Sequence, residues 1–108
     1  MPYGSFVNDL PTGFFLTVHI AAFVIGAGFA WLAYKRELAL LGWAFSLFAA
    51  AELVYMTYHL DWTVFLFAHT ISEVLDLLAF ILVFVAVADR LRSPAASAPT
   101  APASQVRA

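Results

Sequence analysis

Six ionisable side chains lie inside stretches that are otherwise long and apolar enough to cross a bilayer, and this combination constrains the chain more than any other feature. A crossing takes about 20 mostly apolar residues. The stretch 12–34 contains His19, 38–60 contains Glu52 and His59, and 63–88 contains His69, Glu73 and Asp76. Each must be helical, because lipid offers no partner to an unpaired peptide group. The breaks Lys35-Arg36-Glu37 and His59-Leu60-Asp61-Trp62 are short, so neighbouring helices form antiparallel hairpins. Residues 80–85 are β-prone, but the alternation a barrel strand needs is missing. The expected fold is an all-α integral membrane protein, three antiparallel transmembrane helices forming a small bundle.

Composition excludes the soluble alternatives. Of 108 residues, 64% are hydrophobic and 11% charged, against about 45–50% and about 25% in soluble domains. A globule this small buries the smallest share of its surface and cannot hide the excess. A soluble enzyme domain is excluded on that ground. Five Lys and Arg against seven Asp and Glu leave no basic footprint for nucleic acid. Without cysteine there is no disulfide, thiolate metal site, iron–sulfur cluster or thiol nucleophile. Ser5, Ser46 and Ser72 stand outside any nucleophile elbow, which disfavours a hydrolase.

The segment 1–11 lacks a basic region and a small-residue cleavage site, so the first span is expected to remain as a helix and not to be a removable signal peptide. Residues 93–108 are rich in Ala, Pro and Ser, the composition of a disordered tail. Lys35, Arg36, Arg90, Arg92 and Arg107 fall on one side of the three spans, whereas 1–11 and the 60–62 turn carry no cation. The positive-inside rule then places 1–11 outside and the tail in the cytoplasm, as expected in the plasma (inner) membrane of a prokaryote.

The intramembrane polar groups converge in depth. At 1.5 Å per residue, His19 lies roughly 10 Å from the outer boundary, Glu52 roughly 12 Å, His69 roughly 9 Å and Glu73 roughly 15 Å. Asp76 is deeper, at roughly 20 Å, and His59 is near the surface. His69, Glu73 and Asp76 are spaced i, i+4, i+7, and Glu52, Tyr55 and His59 i, i+3, i+7, each one stripe of a helix. His19 continues the small-residue row Ala22, Gly26, Ala30 and Ala33, while Gly42, Ser46 and Ala49 run into Glu52. Such rows let membrane helices approach closely, so the polar groups are expected on packing faces.

A charged residue at the centre of a span costs about 2.5–3.5 kcal/mol on insertion scales. Glu52, Glu73 and Asp76 must therefore be protonated, paired, hydrated or bound to a cation. Four uses compete. His19, Glu52, His69 and Glu73 suit a metal site for Fe, Mn or Zn, or for Cu through the histidines, although the Glu-x-x-His motif of di-iron bundles is absent. His19 and His69, at nearly equal depth, suit the axial positions of a haem. Asp76, Glu73, His69 and His59 step inward as a proton relay does, but 80–88 is purely apolar, so a full path needs a partner. The fourth use is a structural accessory subunit; interhelical hydrogen bonds of about 0.6 kcal/mol are weak grounds for retaining six such groups. The sequence thus points to an intramembrane site for a metal ion or haem formed by His19, Glu52, His69 and Glu73. Tyr55, His59 and Asp76 stand behind it as hydrogen-bond or proton-exchange partners. Three helices shield a cofactor poorly, so a homo-oligomer or a larger membrane complex is expected.

Overall fold

The computed structural model describes residues 3–92. A 3-10 turn at Ser5–Asp9 precedes three helices: α1 (Thr12–Lys35), α2 (Ala39–His59) and α3 (Phe65–Arg92). All three are long and apolar enough to cross a membrane, and no strand occurs among the described residues. α3 runs beyond residue 88 to include Asp89, Arg90 and Arg92. At 1.5 Å per residue its 28 residues span about 42 Å, enough to carry those charges past an apolar layer about 30 Å thick. The tail expected at 93–108 lies outside the described residues.

Both connections use the same stop. α1 ends with Glu37 N–H donating to Tyr34 C=O at 3.1 Å and Leu38 N–H to Ala33 C=O at 2.8 Å. α2 ends with Asp61 N–H donating to Tyr58 C=O at 3.0 Å and Trp62 N–H to Thr57 C=O at 2.9 Å. This is the Schellman pattern, which reverses the chain through one left-handed residue. Glu37 (φ 60°) and Asp61 (φ 61°) occupy that position. Thr57 Oγ1 also meets Thr63 Oγ1 at 2.9 Å, tying the end of α2 to the start of α3.

α2 is the middle of the fold: α1 and α3 each pack on it and not on each other. The three helices are therefore a layer folded around α2, more open than a closed bundle. The buried residues are small: Gly26, Ala30 and Ala33 on α1, Gly42, Ala44, Ala49 and Ala51 on α2, Ala68, Ser72 and Ala79 on α3. Lipid tails are as apolar as any core, so close approach of backbones drives this packing, and small residues permit it. Gly26 shows the constraint: a Cβ there would lie 2.8 Å from Cδ1 of Phe48. Ser72, fully buried, donates to Ala51 C=O at 3.0 Å and pins α3 to α2.

Because α1 and α3 stand apart, the face of α2 between them is a groove. Rings bridge it at the His59 end. Farther along, it widens into a cavity of about 390 Å³.

Candidate functional site

The ring-bridged end of the groove collects all three histidines of the chain. α1 brings His19 one helical period before the small-residue row that sets it against α2. There Nδ1 of His19 meets Oε2 of Glu52 at 2.5 Å, and the two side chains keep only 17% and 14% of their exposure. On the next turn of α2, the Tyr55 hydroxyl is hydrogen-bonded to Nδ1 of His69 on α3 at 3.0 Å. These are two acid–base pairs, one joining α1 to α2 and the other α2 to α3.

The pairs touch through their rings. His19 stacks on Tyr55 with centroids 5.3 Å apart and 15° between planes. His59 lies 5.1 Å from His19 and is stacked on Phe15 at 4.8 Å and 4°. Phe65 stacks on His69 at 5.2 Å and 18°, and Tyr58 packs between His59 and Phe65 at 4.9 and 5.4 Å. A continuous ring cluster thus runs from α1 across α2 to α3. The phenylalanines cap its two ends.

Of the four residues expected to share a ligand set, the fold brings His19 and Glu52 into contact. His69 is held by Tyr55, which stands between it and His19. Glu73 is exposed on the outer side of α3. Among the described residues, no three His, Asp or Glu side chains converge closely enough to hold a metal ion. His59 joins the cluster through its ring. Asp76 faces the cavity instead, with Oδ1 buried and unpartnered.

Helical phase explains the division of α3. At about 100° per residue, Glu73 is rotated about 40° from His69 and Asp76 about 20° the other way. The buried line Ala68–Ser72–Ala79 lies on the Asp76 side of His69, so Glu73 turns outward. Sequence reasoning missed three participants: Phe15 and Phe65, which cap the ring cluster, and Ser72, which sets the register of α3. The small-residue row 68, 72, 79 was a visible signal for Ser72. Nothing in residue spacing marks two phenylalanines out of eleven as partners of histidines.

Comparison with known proteins adds no constraint: no family model, curated protein or solved structure matches this chain.

Proposed function

We propose that this chain is a membrane-embedded proton-exchange subunit, with His19–Glu52 and Tyr55–His69 as its two coupled acid–base pairs. The stacking of His19 on Tyr55 carries this reading, because it places both pairs in one contiguous, half-buried unit. A carboxyl–imidazole pair can hold one proton between two acceptors, and a phenol–imidazole pair can pass one along a short hydrogen bond. Intramembrane ionisable residues are functional by default, and here His19 is paired with Glu52 and His69 with Tyr55.

Lys35 and Arg36, with Arg90 and Arg92, fall at the opposite end of the layer from the ring cluster, because α1 and α3, each antiparallel to α2, run in the same direction. The positive-inside rule then sets the cluster in the outer leaflet of a prokaryotic inner membrane, with the Arg92 end cytoplasmic. Between the cluster and that end, α3 from Phe80 to Ala88 offers no titratable group. The unit therefore exchanges protons with the outer side, and delivery across the membrane falls to a partner. Independently of that delivery, Thr70 and Glu73, both exposed on the outer face of α3, supply polar contacts that we assign to a second copy of the chain.

A bound metal ion or haem is the second reading. Its support is that every histidine of the chain falls in one ring cluster, with His19 and Glu52 already in contact.

The deciding sample is the full chain in phosphatidylcholine nanodiscs, followed by infrared difference spectroscopy after a pH jump. The proton-exchange reading expects reversible carboxyl and imidazole bands, with the carboxyl band lost in Glu52→Gln and altered in His19→Leu. Bands unchanged by pH across the accessible range leave only a structural accessory role. A Soret band, or stoichiometric metal that vanishes in His69→Leu, replaces proton exchange by the cofactor reading.

A further inference from the structure

We propose that the cavity between α1, α2 and α3 binds a lipid-soluble phenol, a hydroxylated aromatic ring carrying an alkyl tail, whose hydroxyl donates to Oδ1 of Asp76. This does not rest on the acid–base reading above, since the cavity lies farther along the groove and uses none of the paired residues.

The cavity, about 390 Å³, falls within the roughly 300–1,000 Å³ typical of small-molecule sites. Its lining includes Gly26 and Phe29 from α1, Phe45 and Phe48 from α2, and Asp76 and Phe80 from α3. Asp76 is the one polar side chain among the lining residues, and its Oδ1 is buried with no hydrogen-bond partner. A buried polar atom left unpaired in a native fold requires an explanation, because its lost hydration is not replaced.

Several occupants fit poorly. An ordered water needs about two to four polar partners, and this cavity offers one carboxyl. A second helix is about 10 Å across with side chains and does not enter so small a space. A lipid acyl chain fills the volume yet leaves Oδ1 unpaired. An ammonium would have to be stripped of water beside a carboxyl that lacks further donors, and this penalty offsets the Coulombic gain.

A neutral hydroxyl satisfies the oxygen without that penalty. The phenylalanines suit an aromatic ring: Phe29 and Phe45 stand 5.5 Å apart at 58°, with Phe48 beside Gly26 and Phe80 also in the lining. Such edges and faces favour an aromatic guest over a saturated one. Gly26 matters twice, since its missing Cβ lets Phe48 sit against α1 and sets the depth of the pocket. The site opens between helices that face lipid, so a ligand reaches it from the bilayer and leaves its tail there.

The test uses the full chain in phosphatidylcholine nanodiscs and a 4-alkylphenol with a photoreactive diazirine in its tail. Labelled positions are mapped by mass spectrometry, with 4-octylphenol and octylbenzene as competitors. Saturable labelling is expected within 25–29, 44–48 and 79–83, with octylphenol competing about tenfold better, the worth of one good hydrogen bond. Asp76→Leu should make the two competitors equal, while Asp76→Asn, which keeps an acceptor oxygen, should retain the preference. Val83→Trp, which fills the cavity from its lining, should abolish labelling and carries the test if Asp76→Leu fails to assemble. Equal competition in the wild type, a preference that survives Asp76→Leu, or non-saturable labelling typical of acyl-chain contact would each overturn the proposal.

Discussion

The imidazole of His19 lies nearly parallel to the phenol ring of Tyr55, 5.3 Å between centroids, while each residue uses its polar edge on a different helix. His19 turns its Nδ1 to Glu52 of α2, and Tyr55 turns its hydroxyl to His69 of α3. One residue contact therefore links two helix interfaces that are otherwise separate, because the backbones of α1 and α3 do not approach each other.

Tyr55→Phe separates the two functions of that side chain. The ring still stacks on His19, but the hydrogen bond to His69 is gone. The expected loss of stability is about 0.6–1.7 kcal/mol, the range of interhelical hydrogen bonds in membranes. Nitrogen NMR of ¹⁵N-histidine-labelled protein should show the His69 Nδ1 resonance displaced, with His19 changed far less. Equal displacement of both imidazoles would show that the stack, and not the hydroxyl, governs the cluster.

The His19–Glu52 contact predicts an asymmetric mutant cycle. Removing one partner leaves the other buried and unpaired, so His19→Leu and Glu52→Leu should each destabilise the fold by about 1–3 kcal/mol. The double replacement removes both polar groups and puts apolar side chains in their place. It should recover most of that loss, as replacement of buried ion pairs does elsewhere. Unfolding of detergent-solubilised protein measures all four species, and additive single losses would show that the contact carries no coupling.

Much of this architecture was legible because the physics of a bilayer is simple to read. Three apolar stretches required three helices, and the row Gly26, Ala30, Ala33 marked the face of α1 that packs. The position of His19 on that row implied that it faces a neighbouring helix, and there it meets Glu52 of α2. What periodicity could not resolve was the spread of a stripe. His69, Glu73 and Asp76 share a face only within about 60°, and packing on α2 divides that arc into a ring contact, an outward carboxyl and a cavity wall. Nor does depth alone show that Tyr55 stands between His19 and His69. That depends on which helix is central, a property of the assembled layer.

The two Schellman turns differ in how well their residues suit them. A left-handed conformation costs an ordinary side chain roughly 1–2 kcal/mol, and Asp tolerates it better than Glu. Glu37→Gly should therefore stabilise the α1–α2 hairpin, by up to about 1 kcal/mol after the entropy that glycine loses on folding. Asp61→Gly should gain less. Thermal unfolding of the two variants side by side checks the order; a larger gain at Asp61 would contradict it.

The outer face of α3 predicts self-association. Leu66, Thr70, Glu73, Leu77, Phe80, Phe84, Val87 and Leu91 recur at alternating steps of four and three, the seam spacing of packed helices. Leu77, Phe80 and Phe84 keep 61%, 73% and 74% of their exposure, so nothing in the protomer covers this line. Lipid can cover the apolar members but gives Glu73 no partner. In a parallel two-fold pair the contact repeats itself. Side chains of a helix lean toward its N-terminus, which aims Glu73 of each copy at Thr70 of the other, one turn away. The chain has no cysteine, so Leu77→Cys should cross-link copies under mild oxidation. Leu78→Cys, about 100° around the helix, should not. Adding Glu73→Leu to Leu77→Cys should lower cross-linking severalfold, and Thr70→Ala should do so more weakly. Cross-linking that is equal at 77 and 78, or indifferent to Glu73→Leu, would mean that a different protein covers this face.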